Sequence, residues 1–122
     1  MKRNILLLTF FISGLLSAQE VSFDAKVSKK QLGINERLRV DFTMNTDGDN
    51  FEPPSFKNFT VVGGPSQSIN NSWINGVRSF SKSYSYFLAP KKRGEFTIGQ
   101  ATIEIDGKTY KTLPVKITVT AA

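Results

Sequence analysis

The stretch "SWINGVRSFSKSYSYF", residues Ser72–Phe87, contains the strongest local structural signal in the sequence. At its centre is the pair Asn75-Gly76, and a two-residue type I′ turn needs positive φ at both positions, which Asn-Gly tolerates best. The pair therefore predicts a tight β-hairpin in which Trp73 lies opposite Arg78.

Side chains on the second strand of this hairpin alternate between two faces. The large side chains share one face with Trp73 and are Arg78, Phe80, Lys82, Tyr84, Tyr86 and Leu88. The other face carries serines, which is typical of a strand that packs on a core by one side. We expect Tyr84, Tyr86 and Leu88 to be buried. Arg78 and Lys82 are costly to bury unpaired, so we expect the hairpin tip to project beyond the core, with Trp73 stacking against Arg78.

Alternation with period two continues through the rest of the chain, and no stretch of ten residues has convincing helical spacing. Strands are predicted at Val21–Val27 and Leu38–Met44, and a short one at Phe59–Val62 ends at Gly63-Gly64-Pro65. The segments "SKKQLGINE" and "NTDGDNFEPPSF" are interpreted as connections. The pattern predicts an all-β, immunoglobulin-like β-sandwich of about seven antiparallel strands, with an open barrel as the alternative.

The apolar side chains change parity after the predicted turn "PKKRGE". Phe96 and Ile98 occupy even positions, whereas Ala101 and Ile103 occupy odd ones. A one-residue slip would return both sets to the same face, and the predicted site for it is a β-bulge at Gly99-Gln100.

The N-terminus has the pattern of a secretory signal peptide. Lys2 and Arg3 precede an apolar run, Ile5–Leu16, that ends in the small pair Ser17-Ala18. A helix needs about 20 residues to span a bilayer, so a retained membrane anchor is the weaker alternative for this shorter run. We expect residues 1–18 to be the signal peptide, residues 19–122 to form one domain, and the protein to be exported.

The sequence contains no cysteine and no histidine. Disulfides, thiolate or imidazole ligation of zinc, and Ser-His-Asp or Cys-His catalysis are therefore impossible within this chain. The net charge is +6, but the basic residues are scattered, which argues little for nucleic acid. Asn45, Asp47 and Asp49 have calcium-loop spacing, yet Asn50 and Phe56 stand where an EF-hand needs Gly and Glu. We expect no enzymatic activity and no cofactor.

The candidate contact region for a protein partner is the hairpin tip, because Trp and Arg supply much of the binding energy in interfaces. Its residues are Trp73, Asn75, Gly76, Arg78 and Phe80. Two alternatives stay open: the tip packs on a neighbouring domain, or its aromatic residues form a sugar-stacking platform in a carbohydrate-binding or adhesin-type module.

Several strings resemble the start of the BatD (aerotolerance, "oxygen tolerance") family of bacterial envelope proteins. They are "VSFDAKVSKKQLGINERLRVDFTMNTDGDNF", "PPSFKNFTVVGGPSQS", "SWINGVRSFSKSYSYFLAPKKRGEFTIGQATIEIDGKTYKT" and "PVKITV". The resemblance runs from about Val21 to Val119 in consistent order, and no catalytic motif of the family maps onto these residues.

This resemblance implies an exported periplasmic protein with tandem immunoglobulin-like domains and a membrane segment near its C-terminus. Membrane attachment would then depend on regions absent from this chain, which we expect to be the N-terminal part of a longer protein. The resemblance also implies a scaffold in an envelope complex with von Willebrand factor type A domain membrane proteins and a MoxR-type AAA+ ATPase.

Overall fold

The computed structural model describes residues 20–121, so the predicted signal peptide lies outside the described residues. These residues form strands and no helix, which confirms the prediction of an all-β fold. Ten strands are present rather than about seven: β1 (Phe23–Val27), β2 (Gln31–Gly33), β3 (Leu38–Met44), β4 (Asp49–Glu52), β5 (Phe59–Ile74), β6 (Val77–Pro90), β7 (Gly94–Ile98), β8 (Thr102–Ile105), β9 (Lys108–Lys111) and β10 (Val115–Thr120). Within residues 20–121, no helix has the length and apolar character needed to cross a membrane.

The strands form three sheets, with the orders β1-β3-β6-β5, β2-β10-β7 and β4-β8-β9. Every pair is antiparallel except β2 with β10, which is parallel. The expectation of antiparallel strands throughout is therefore wrong for this pair. The chain leaves the first sheet after β1, and β2 then runs beside β10 in the second sheet.

Two segments that were predicted to be connections contain strands, and they account for most of the additional strands. "SKKQLGINE" contains β2, in which Leu32 is buried, and "NTDGDNFEPPSF" contains β4. The Phe51 ring of β4 stacks on the Tyr84 ring of β6, with 4.0 Å between the centroids and 7° between the planes. Strands of three or four residues are too short for a period-two pattern to be visible among polar neighbours.

The third predicted strand does not end at Gly63-Gly64-Pro65. Instead, β5 continues through this segment to Ile74, and the register with β6 shifts on both sides of Gly63. Gly64 has φ of 90°, and a Cβ at this position would collide with the carbonyl oxygen of Ser85. Glycine is required here by the close approach of two backbones, and the irregularity lies within a paired strand.

The parity change at Gly99-Gln100 occurs without the predicted β-bulge. The last pair before the break is Ile98 with Val115, and the first pair beyond it is Thr102 with Lys111. Three residues intervene on each strand, so neither strand has an extra one. The prediction of a bulge is wrong because the partner strand changes faces at the same place and the register is preserved.

Two hydrogen bonds connect the ladders on either side of this break. Thr112 donates its backbone N–H to the carbonyl of Ala101 (3.0 Å), and the Ala101 N–H donates to Thr112 Oγ1 (2.9 Å). Thr112 is fully buried. Its hydroxyl oxygen accepts the Ala101 N–H in place of a backbone carbonyl of the ladder. The sheets β2-β10-β7 and β4-β8-β9 are thereby joined end to end.

A single hydrophobic core is shared by the three sheets. Its largest fully buried hydrophobic side chains are Phe42, Leu38, Met44, Leu88, Ile98, Ile103, Ile117 and Val40. Tyr86 and Leu88 are buried and Tyr84 is half-buried against the core, which confirms the predicted packing of the base of the hairpin.

Candidate functional site

The β5–β6 hairpin has the turn and the register that its sequence predicts. Asn75 and Gly76 have φ values of 52° and 78°, as a type I′ turn requires. Trp73 is paired with Arg78. The two-residue loop thus fixes which side chains share a face along the whole ribbon.

The outer part of this hairpin, residues 69–82, is called the tip, and it extends beyond the rest of the first sheet. The pairing of β3 with β6 ends at Met44 and Lys82, and from Lys82 to Val77 β6 is paired only with β5. Five residue steps at about 3.4 Å each correspond to about 17 Å. The prediction that the tip projects beyond the core is confirmed.

Lys82 marks the boundary between the tip and the core. Its side chain is 12% exposed, and its Nζ lies 3.1 Å from Asp47 Oδ1 and 5.5 Å from the centroid of the Tyr84 ring. Desolvation lowers the pKa of Lys82, but hydrogen bonds to Asp47 and Tyr84 outweigh it, and the net pKa is raised. The ammonium group is therefore charged and paired where the core ends.

Trp73 and Arg78 do not form the predicted stack. Arg78 Nε donates to Asn71 Oδ1 at 3.2 Å. Within the described part of the chain, the cation–π contacts are those of Arg39 with Phe87 and Lys82 with Tyr84. The prediction is wrong because Asn71, two residues before Trp73 on the same face, offers the guanidinium a better acceptor. The indole of Trp73 is left 69% exposed.

A cleft of about 350 Å³ lies beside the tip. Arg78 and Phe80 line it together with Asn45, Thr46 and Asp47 of the β3–β4 connection. Sequence reasoning missed this loop as part of the site, because its place beside the hairpin follows from the pairing of β3 with β6. Among residues 20–121, no three His, Cys, Asp or Glu side chains are grouped so as to hold a metal ion.

The opposite face of the ribbon is polar along most of its length, and Ile74 and Val77 lie on it beside the turn. It carries Ser68, Asn70, Ser72, Ser79, Ser81 and Ser83. At its inner end, Thr43 and Ser83 share a hydrogen bond of 2.9 Å between their hydroxyl oxygens. One face of the hairpin thus carries large side chains, whereas the other carries mostly small polar groups and ends in the Ile74–Val77 pair at the turn.

Exposed hydrophobic side chains are concentrated on this hairpin. Of eight large hydrophobic residues that are exposed in the described part of the chain, seven belong to β5 or β6: Val61, Val62, Ile69, Trp73, Ile74, Val77 and Phe87. Sequence reasoning identified Trp73 but missed Ile69, Ile74 and Val77. The available signal was the absence of any charged residue from Phe59 to Ile74.

The structure brings the five predicted contact residues together at one end of the molecule. Trp73, Arg78 and Phe80 share a face, and Asn75 and Gly76 form the turn beside them. Their side chains include an indole, a phenyl ring, a guanidinium and one amide, which suit binding by stacking and hydrogen bonding.

A comparison with protein families matches residues 25–119 to the BatD DUF11 like domain. A comparison with curated proteins finds no match. The match extends from β1 to β10 and includes the whole projecting hairpin. The chain belongs to the BatD family.

Proposed function

We propose that this domain is a noncatalytic, exported interaction module that presents its projecting hairpin to a protein partner in a bacterial envelope complex. The observation that supports it best is the tip itself, a two-stranded ribbon along which Ile69, Trp73, Ile74 and Val77 are exposed. Clustered exposed hydrophobic residues on a soluble domain are typical of an interaction site.

We infer that the three sheets form the two layers of an immunoglobulin-like β-sandwich. In that fold the first, second, fifth and fourth strands form one sheet, while the third, sixth and seventh form the other. The order β1-β3-β6-β5 fits the first layer when β2 is taken as a continuation of the first strand. The order β4-β8-β9, extended end to end by β7 and β10, fits the second. In this architecture, the packed layers would hold the inner ends of β5 and β6 in place and so give the hairpin a rigid base.

The proposed partner belongs to the envelope machinery that BatD-family resemblance implies. We propose a von Willebrand factor type A domain membrane protein as the direct contact, in a system that includes a MoxR-type ATPase. The domain would act in the periplasm, with membrane attachment supplied by other parts of the full-length protein.

The test is recovery of the partner from envelope extracts by the tagged chain. Trp73→Ala and Arg78→Ala should each lower recovery of a von Willebrand factor type A domain protein at least tenfold, because truncating a binding hot spot costs about 2 kcal/mol or more. Recovery is measured by quantitative mass spectrometry.

Matched controls remove equivalent groups away from the tip. Leu113 is 79% exposed in the β9–β10 connection, and Arg93 is exposed in the β6–β7 turn. Leu113→Ala and Arg93→Ala should leave recovery unchanged. Equal recovery with the tip variants and the controls would refute the proposed contact region.

A carbohydrate-binding role is a second candidate, favoured by the exposed Trp73 and by the amide and carboxylate groups that line the cleft beside Phe80. Trp73 is the only tryptophan, so its fluorescence reports directly on the tip. Glycan binding predicts saturable quenching or a spectral shift on titration with cell-wall or dietary glycans. An unchanged spectrum across a broad glycan panel would eliminate this candidate.

A further inference from the structure

Strand β5 forms an edge of the four-stranded sheet, and the outer segment of that edge lacks the usual protection against strand pairing. Natural edge strands are protected by charged side chains, proline, bulges or short length. The segment Ser66–Ile74 has none of these: it is nine residues long, uncharged and free of proline, and its register with β6 is continuous.

The hairpin geometry determines which backbone groups of this edge are free. In a two-residue hairpin the residues next to the turn form a hydrogen-bonded pair, here Ile74 with Val77, and such pairs alternate with unbonded ones along the strands. The backbone N–H and C=O groups of Ile69, Asn71 and Trp73 therefore point away from β6. These residues are exposed, so their free groups can accept another strand.

We propose that the β5 edge pairs antiparallel with the β5 edge of a second copy of this chain, about a two-fold axis at Asn71. In this register Ile69 of each copy lies opposite Trp73 of the other, and the two Asn71 residues face each other. The backbone N–H and C=O groups of all three positions point outward, so they can form the hydrogen bonds between the two β5 strands. Aromatic residues opposite β-branched ones are favourable cross-strand pairs, and this interface contains two.

The charges and side chains of the edge favour a second copy as the occupant. The chain has a net charge of +6, yet β5 is uncharged, so two identical edges meet without like charges directly opposed. Moving the axis to Asn70 would place Ile69 opposite Asn71 and Trp73 opposite Gln67, with no apolar pair. The sequence of the edge is thus self-complementary about Asn71.

The paired hairpins would form a four-stranded ribbon in the order β6, β5, β5 of the partner copy and β6 of the partner copy. Its large-residue face would present two copies each of Trp73, Phe80 and Arg78. Because the contact is limited to the hairpin, it is smaller than the roughly 1,200 Å² or more of a stable interface. The dimer is therefore weak and concentration-dependent.

The register is tested with single cysteines, since the natural chain has none. Directly opposed residues have Cα atoms about 4.5–5.5 Å apart, which a disulfide can bridge. Asn71→Cys should form disulfide dimers under mild oxidation at least tenfold faster than Asn70→Cys or Ser72→Cys, whose positions are also exposed. A mixture of the Ile69→Cys and Trp73→Cys chains should form the heterodimer in preference to either homodimer.

A second test measures self-association without cross-linking. Asn71→Asp opposes two carboxylates across the axis while Arg78 keeps an acceptor, and it should weaken the dimer at least tenfold in sedimentation velocity experiments. Asn70→Asp changes the net charge equally but faces Ser72 of the other copy, so it should have a smaller effect. These measurements use no envelope partner and are independent of the proposed function.

Three outcomes would overturn the proposal. The first is a monomer at all concentrations, with equal, slow cross-linking at positions 70, 71 and 72. The second is preferential cross-linking at Asn70→Cys or Ser72→Cys, which would place the axis elsewhere. Protection of the β5 edge amides from hydrogen exchange by an envelope partner, with no self-association, would assign the edge to that partner instead.

Discussion

The inner and outer parts of the β5–β6 hairpin share the same two strands and the same alternation of side chains, but they differ in burial. In the inner part, Leu88 is opposite Leu38 of β3 and is fully buried. In the outer part, Ile69 is 58% exposed and Trp73 is 69% exposed, and none of the buried core residues belongs to this part. Alternation thus assigns residues to faces, whereas the elements packed on those faces decide which are buried.

The largest expected contrast is between truncations of a buried and an exposed aliphatic residue on this hairpin. Leu88→Ala should lower the free energy of unfolding by about 2–5 kcal/mol, because it removes packed atoms and leaves a cavity. Ile69→Ala should change it by less than about 0.5 kcal/mol. Urea denaturation at a protein concentration where the chain is monomeric measures both free energies of unfolding. Similar losses of stability in the two variants would contradict the division into a buried inner part and an exposed outer part.

One glycine from each part of the hairpin gives the next contrast. Gly64 and Gly76 both have positive φ, but a Cβ at Gly64 would collide with the Ser85 carbonyl, whereas a Cβ at Gly76 would meet nothing within 4 Å. Both alanine variants have a cost of about 1–2 kcal/mol for the left-handed conformation.

Gly64→Ala should therefore be less stable than Gly76→Ala by about a further 1–3 kcal/mol, which is typical of overpacking. Thermal unfolding of the two variants side by side measures the difference. Equal destabilisation of the two variants would show that the backbone of β5 has room for a Cβ beside the Ser85 carbonyl.

The ion pair at the boundary should have a smaller effect. Asp47→Asn removes the carboxylate that pairs with the mostly buried Lys82, and should cost about 1 kcal/mol at neutral pH, the upper range for pairs with one exposed partner. Glu95→Gln disrupts a longer pair, 3.9 Å from Lys116 with both side chains well exposed, and should cost almost nothing.

The same pair predicts how stability depends on pH. Since the pKa of Lys82 is raised above its usual 10.5 in the folded state, its contribution is complete below that value and is lost as pH rises through the folded pKa. Burial, with a smaller contribution from Tyr84, also raises the pKa of Tyr86, so ionisation of Tyr86 acts in the same direction. Urea midpoints measured from pH 7 to 11 should fall only at the alkaline end, whereas a fall between pH 7 and 9 would contradict this.

Trp73→Ala should also have little effect on stability. With the indole 69% exposed, its removal should change the free energy of unfolding by less than about 0.5 kcal/mol, even if it abolishes partner binding. Acrylamide should quench the wild-type tryptophan almost as efficiently as a free indole. Strong protection from quenching in the monomer would show that the tip folds back onto the domain.

Much of the fold was predictable because its signals are local. Asn75-Gly76 determines the turn and therefore the register of Trp73 with Arg78, and the alternating residues of β3 and β6 predict a buried face. The short strands β2 and β4 were not predictable in the same way, since three or four residues do not establish a period. Their positions depend on distant strands, β10 for the first and β8 for the second.

The candidate site was predictable in part. Trp73, Arg78 and Phe80 lie on one face because the turn places them there. Sequence reasoning placed Trp73 against Arg78 because it could not identify the competing acceptor, Asn71, from propensity alone. The loop Asn45–Thr46–Asp47 joins the site through pairing between strands about forty residues apart, which no local pattern reveals.

The sequence by itself determined the all-β character, the tight hairpin and the two faces of that hairpin, because these depend on backbone preferences and on the period of the pleat. Only the tertiary structure decided where the hairpin leaves the core, how β2 pairs in parallel with β10, and why both strands change faces at Ala101 and Thr112. Each of these depends on which surface a distant segment covers, and burial is a property of the assembled sheets rather than of any one strand.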